Sequence, residues 1–314
     1  MKIVILDADT VTTGDLSLEC FEKYGDVTVY GLTDKSLVKE RIKDADMVFT
    51  NKNVLNEDNM KDAKNLRYIG LFATGYNNID VEYAKKRGIT VCNAPGYSTE
   101  AVAQHTFAFI LALLNKVGEY NATVSEGDWV KSRTFSYFPL PISELFGKTL
   151  GIVGYGAIGK QVANIAKAFN MNVIVFNRSK IKDDTVLQVS RDELFEKADI
   201  VTLHCPLNKD SENMMNDDAF NKMKDGAFFI NTARGGLVDE AALRRALVSG
   251  KLQGAGVDVL RSEPMDENCP LYNAPNCLIT PHIAWAGIET RRRLLTVVTK
   301  NIEAFLNGTP QNTV

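Results

Sequence analysis

Apolar residues in the first hundred positions fall in short runs, separated by stretches where they recur every three or four residues. The runs Ile3–Leu6, Val27–Tyr30, Met47–Thr50, Tyr68–Phe72 and Thr90–Cys92 predict buried strands. The segments 16–24, 34–43, 56–63 and 80–86 predict the helices between them. Strand alternating with helix predicts βαβ units and a parallel sheet covered on both faces. A long helix is expected from Ser98 to about Glu119. Residues 121–146 lose the period, with Gly127, Pro139 and Pro141 set among Trp129, Phe135, Tyr137 and Phe138. This aromatic excursion reads as a lid, as an arm for a second subunit, or as a segment packed on its own chain. A second alternation opens at Gly147, with strands at Thr149–Val153, Asn172–Phe176, Ile200–His204, Ala227–Asn231, Gly256–Val259 and Cys277–Thr280. Its helices are expected at Ala157–Asn170, 190–196, 215–223 and 239–249, the last with Asp239 as N-cap. A final helix runs from about Gly287 to Leu306 and is free to return to the first sheet. The pattern therefore specifies an α/β chain with two doubly wound parallel-sheet domains.

The first strand–turn–helix of the second sheet carries Gly154-Tyr155-Gly156-Ala157-Ile158-Gly159, a G-x-G-x-x-G in the context that dinucleotide binding requires. Gly154 permits the tight turn, Gly156 lets the backbone approach a pyrophosphate, and Gly159 lets helix and strand pack closely. The N–H groups opening the helix then face the phosphates with the favourable end of the helix dipole. About 20 residues on, an NAD site usually places an acidic residue for the ribose hydroxyls. Here the position is Asn177, followed by Arg178, Ser179 and Lys180. A cation and a hydroxyl where a 2′-phosphate would lie favour NADP(H), with NAD(H) the alternative. A solvated basic turn is the bland reading.

Composition narrows the field. A chain of 314 residues with 45% hydrophobic content can bury two cores. A net charge of −3 gives no electrostatic case for nucleic acid or an anionic membrane. The apolar start at Met1 is too short for a signal peptide, and no run approaches bilayer length. The five cysteines form no C-x-x-C pair and are odd in number, which fits reduced thiols in a cytoplasmic protein. No metal-ligand spacing is present.

With three histidines in the chain, the search for an acid or base is short. His105 lies inside the long helix and reads as structural. His204 ends a strand in His204-Cys205-Pro206, at the sheet edge where a cofactor would lie, and reads as a binding residue. His282 also ends a strand and is the best general acid or base. Arg234, at another strand end, could clamp a carboxylate bidentately. Glu263, in a turn closed by Pro264, could hold an imidazole in its charged form. Each alone also fits an ordinary surface charge; together, beside a dinucleotide fingerprint, they point to reduction of a 2-oxo acid.

These segments resemble the D-isomer-specific 2-hydroxyacid dehydrogenase family along essentially the whole chain. The carrying motifs are GIVGYGAIG (151–159), HCPL (204–207), INTARGGLVDE (230–240), GVDVL with SEP (256–264) and TPHIAWA (280–286). LFATGYNNID (71–80) and VCNAPGYSTEAVAQHTFA (91–108) are most similar to the glycerate dehydrogenase/hydroxypyruvate reductase branch. The resemblance implies a catalytic Arg234–Glu263–His282 set, and a substrate carboxylate on Arg234 and the backbone N–H groups of Ala73-Thr74-Gly75. It places Thr232-Ala233 and His204-Cys205-Pro206 along the cofactor and Asp258 near the nicotinamide carboxamide. It implies a Rossmann-type cofactor domain (99–286) inserted in a flavodoxin-like substrate domain (1–98 and 287–314), and homodimers formed largely through the cofactor domain. The expected activity is reduction of hydroxypyruvate or glyoxylate to the D-2-hydroxy acid. The rival is a dinucleotide-sensing, corepressor-like binding protein of the same fold, although no basic stretch or docking extension favours it. Asn177 departs from the Asp common in NAD-using members.

Overall fold

The computed structural model describes residues 1–314 and divides into two compact units, Met1–Ser98 with Trp285–Val314, and Thr99–Ala284. In the first unit β1 (Lys2–Ile5), β2 (Asp26–Val29), β3 (Met47–Thr50), β4 (Tyr68–Leu71) and β5 (Thr90–Cys92) pair in parallel in the order β2-β1-β3-β4-β5. Helices α1 (Val38–Ile42), α2 (Glu57–Met60) and α3 (Val81–Lys86) connect them. The segment 16–24 forms only a 3₁₀ turn at Glu19–Tyr24. Strands β3 and β4 are buried at every position, as a sheet covered on both faces requires. The C-terminal helix (Ile288–Leu306) supplies Leu294, Leu295, Val298 and Ile302 to the core over Ile3, Ile5, Phe49 and Tyr68.

The second unit holds α4 (Thr99–Asn115), α5 (Val117–Ser125), β6 (Thr149–Val153), α6 (Ala157–Ala168), β7 (Asn172–Phe176) and β8 (Leu187–Gln188). It continues with α7 (Arg191–Lys197), β9 (Ile200–Leu203), α8 (Asp217–Lys222), β10 (Ala227–Asn231), α9 (Glu240–Val248), β11 (Leu252–Val257) and β12 (Cys277–Ile279). All seven strands are parallel, in the order β12-β11-β10-β9-β6-β7-β8. The order reverses between β6 and β9, and ligands of open α/β sheets bind outside the carboxyl ends at such a switch point. Both sheets are thus the doubly wound parallel type that the alternation predicts. Asp239 caps α9 by accepting from the N–H groups of Ala241 and Ala242.

Two further readings of the pattern are corrected. The helix expected over 98–119 breaks at Lys116, whose φ of 51° is left-handed, and α4 and α5 meet at a bend of 51°. The break falls where burial ends. Leu113 and Leu114 close the apolar face of α4, whereas α5 buries no residue. No single helix is long and apolar enough to cross a membrane. The strand expected at Gly256–Val259 runs instead from Leu252 to Val257, so Asp258 is the first residue beyond the sheet.

Candidate active site

Register brings the site together. Pairing aligns Val153 with Phe176 and with Leu203, Leu203 with Asn231, Asn231 with Val257, and Val257 with Ile279. The residues that follow, Gly154, Asn177, His204, Thr232, Asp258 and Thr280, therefore leave one sheet edge in a single row.

At the switch-point end of this row the glycines take the forms their spacing predicts. Gly154 has φ +96°, and a Cβ on it would meet the His204 carbonyl carbon and the Cys205 nitrogen at 2.7 Å. A Cβ on Gly159 would lie 2.2 Å from the Gly154 oxygen, whereas around Gly156 there is nothing within 4 Å. The turn is closed toward the protein and open outward, as a backbone must be to meet a pyrophosphate. A cleft of about 450 Å³ faces it, lined among others by Gly154, Tyr155, Gly156, Asn177, Arg178, Ser179, His204, Cys205 and Pro206. Ala157, Ile158, Gly159, Thr232, Ala233 and Asp258 are not in this lining.

Asn177 links the glycine turn to the basic one. Its Oδ1 accepts from the Tyr155 N–H at 3.1 Å, and its Nδ2 donates to the carbonyl and hydroxyl oxygens of Ser179, both at 3.0 Å. A carboxylate could accept the first bond but could not donate the others. Gln188 of β8 closes the same turn: its Nε2 donates to the carbonyls of Asn177 and Ser179, and its Oε1 accepts from Ile181 N–H. The Tyr155 phenol donates to Asp183 at 2.7 Å, and burial first, then that carboxylate, push it up to about 12.

The three histidines separate by environment. His204 is pushed down to about 3 by burial, so it is neutral at physiological pH. Its Nε2 meets the Thr202 hydroxyl at 2.9 Å, and its Nδ1 is buried with no partner in the chain. His105 reaches from α4 to the Thr280 hydroxyl at 2.9 Å, and that hydroxyl donates to Asp258 at 2.5 Å. The Thr280 proton being committed to the carboxylate, His105 must donate from Nε2. His282 pairs through Nδ1 with Glu263 Oε2 at 2.7 Å, and Glu263 Oε1 accepts from the Leu260 N–H at 2.9 Å. His282 has the shorter carboxylate contact and the more exposed side chain, 28% accessible, whereas His105 lies 3.7 Å from Asp258 Oδ1 and is 21% accessible.

Asp258 is what builds the His282 loop. It is 2% exposed, and its carboxylate accepts from Thr280 Oγ1 and from the N–H groups of Ile283 and Ala284 at 2.8 and 2.9 Å. Its carbonyl accepts from His282 N–H at 2.8 Å. The backbone of His282 is left-handed at φ 56°, a conformation that costs a non-glycine residue and persists where its surroundings impose it. Arg234 is the third residue beyond β10. Asn231 pins that loop by donating to the Arg234 carbonyl and accepting from Ala233 N–H. A Cβ on Gly235 would lie 1.9 Å from the Leu260 carbonyl carbon, so glycine alone lets the 260–263 turn pack beside Arg234. The guanidinium donates through Nη1 to the Ala233 carbonyl at 2.7 Å, and its remaining donors are open to a ligand.

In the first unit, the Ala73-Thr74-Gly75 turn is held by its carbonyls and a hydroxyl. Ala94 N–H donates to Ala73 O, Asn93 Nδ2 to Thr74 O, and Thr74 Oγ1 to Ala94 O. The neighbouring Thr50–Asn53 loop is gathered by Asp7, which sequence reading passed over. Its buried carboxylate accepts from Thr50 Oγ1 and the N–H groups of Asn51, Lys52 and Asn53. The one available signal was a carboxylate closing the apolar run of β1. All five cysteines are unpaired thiols.

A model of the D-isomer specific 2-hydroxyacid dehydrogenase NAD binding domain matches residues 107–284, more than half of the chain. The chain belongs to the D-isomer-specific 2-hydroxyacid dehydrogenase family. It is 41% identical to a hydroxypyruvate reductase of Blautia hydrogenotrophica, covering 100% of this chain and 99% of that one. It is 38% identical to a glycerate dehydrogenase of Methylorubrum extorquens, covering 100% and 98%. Among solved structures, an acyclic imino acid reductase in complex with NADPH and D-Arg superposes with a TM-score of 0.88 at 33% identity, covering 100% of both chains. The protein is therefore an NAD(P)-dependent 2-hydroxyacid dehydrogenase, and the open glycine turn with its cleft fits the dinucleotide that the family uses.

Proposed function

We propose that this dehydrogenase reduces a small 2-oxo acid, hydroxypyruvate or glyoxylate foremost, to the D-2-hydroxy acid, with NADPH favoured over NADH. The 2.7 Å pair of His282 with Glu263 carries the chemical reading. Glu263 fixes Nδ1 and stabilises the imidazolium, which turns Nε2 into a proton donor for the substrate's carbonyl oxygen. Arg234 takes the carboxylate through its open donors. When bound, the reduced nicotinamide supplies the hydride. Thr232, Ala233 and the His204–Pro206 loop lie along the cofactor in this reading, and Asp258 acts by holding the loop that carries His282. The test is initial rates of NADPH and NADH oxidation with hydroxypyruvate, glyoxylate, pyruvate and bulkier 2-oxo acids. Absence of turnover with every acid, using folded protein that binds cofactor, would overturn the proposal.

The cofactor preference rests on the turn at Asn177. No carboxylate opposes a 2′-phosphate there, and Arg178 and Ser179 line the cleft. Arg178→Ala is expected to raise the Michaelis constant for NADPH by ~10-fold, the scale of one charge-assisted hydrogen bond, and to leave that for NADH unchanged. An unchanged NADPH constant would remove the case for NADP(H) and leave the activity standing.

The segment 126–146 is assigned to a dimer contact. Phe135 is 92% exposed and Phe138 76%, and Trp129, Val130, Ile142 and Phe146 are exposed near them in sequence. So much exposed apolar surface on one segment marks an association site. Light scattering should give the mass of two chains, and Phe135→Glu should shift it toward one. A monomeric parent protein would refute the assignment.

A further inference from the structure

The 2′-phosphate reading leaves one cation of the cleft without a role. Arg191 opens α7 and also lines the cleft, alongside Arg178 and Ser179. It arrives from a different stretch of chain, and two sets of bonds fix where it does so. Val189 N–H donates to the Val175 carbonyl of β7 at 2.9 Å, which ties the approach to α7 to the strand that leads into Asn177. One residue earlier, Gln188 bonds both carbonyls of the turn that bears Arg178. Ser190 then accepts from Glu193 N–H and starts the helix, so that Arg191 stands at the cleft by construction.

No hydrogen bond within the chain holds its guanidinium, although Arg191 also borders a second cavity lined by Asp192, Asp210, Glu212 and Asp218. Asp192 is a long partner only, its Oδ1 lying 3.9 Å from Nε, while its Oδ2 pairs with Lys222 at 2.5 Å. Asp210 is the single acidic residue in the cleft lining, against Arg178 and Arg191. A phosphate dianion suits two converging guanidinium groups, each with donors in a planar fork.

We propose that Arg191 is the second cation of the 2′-phosphate site and, with Arg178, determines the choice of NADP(H) over NAD(H). The proposal rests on the cofactor preference stated above. Arg178 approaches from the β7 turn and Arg191 from the first residue of α7, so that the phosphate is held from two sides. The 5′-linked part of the nucleotide is left to the glycine turn.

Calorimetric titration with adenosine 2′,5′-bisphosphate and with 5′-AMP tests this without catalysis. Arg191→Ala should weaken the bisphosphate by ~10-fold, the low end expected for a charged hydrogen bond that solvent partly screens. Its affinity for 5′-AMP should stay unchanged, and Arg191→Lys should recover part of the loss. In steady state the Michaelis constant for NADPH should rise while that for NADH holds. Equal weakening of both ligands would make Arg191 an adenine contact and overturn the proposal, as would no change in either. If Arg178→Ala weakens the bisphosphate and Arg191→Ala does not, the assignment of Arg191 fails and the preference survives. If the parent protein binds the bisphosphate no better than 5′-AMP, both fail.

Discussion

Replacing His282 with asparagine should lower kcat by ~10²–10⁴-fold, the range that a positioned general acid contributes. That corresponds to about 3–5 kcal/mol of lost transition-state stabilisation. Asparagine is the informative replacement because the backbone at position 282 is left-handed, and Asn tolerates that region better than other non-glycine residues. The loop should keep its shape, since Asp258 holds it through Thr280 Oγ1 and the N–H groups of Ile283 and Ala284 rather than through the imidazole. NADPH should bind as before, because His282 does not line the cleft at the glycine turn. Stopped-flow absorbance and fluorescence titration of NADPH separate the two quantities. A kcat within about threefold of the parent's would remove His282 as the proton donor, because losing a positioned general acid costs far more than that. Glu263→Gln should give a smaller loss. The amide can still accept from Leu260 N–H, but it carries no charge to stabilise the imidazolium.

Much of this candidate site was legible because most strands of the second unit announce their ends. Gly154, Asn177, Pro206 two residues past His204, Thr232 and Pro281 each interrupt an apolar run, whereas the pattern sets Asp258 inside a strand that in fact ends one residue before it. Parallel pairing in near-constant register then sets those interruptions side by side, so residues far apart in sequence could be read as neighbours. What stayed hidden depended on contacts between distant residues. The carboxylate of Asp258 is oriented by N–H groups 25 and 26 positions away, and nothing local to GVDVL indicates that. Asp7 likewise meets its partners 43 to 46 residues on. The two-residue strand β8 is too short to show a period, which concealed Gln188 and with it the placing of Arg191. Lys116 breaks a helix without the usual glycine or proline, at the point where burial rather than propensity stops supporting it.

Arg234→Lys should cut kcat/KM for the 2-oxo acid by ~10–100-fold while leaving the Michaelis constant for NADPH in place. The backbone fixes where the side chain starts. Asn231 bonds the Arg234 carbonyl and the Ala233 N–H, and Gly235 admits the 260–263 turn against the same segment. From there Nη1 is committed to the Ala233 carbonyl, which sets the plane of the guanidinium and directs its remaining donors. Lysine keeps the positive charge but offers a point donor without a plane, and it cannot both hold the Ala233 carbonyl and present a fork to a carboxylate. Charge alone should therefore not rescue the variant. Comparing glyoxylate with its uncharged amide isolates the contact: the parent protein should strongly prefer the acid, and Arg234→Lys should narrow that preference. If the lysine variant kept the parent's discrimination between acid and amide, the substrate carboxylate would have to be recognised elsewhere.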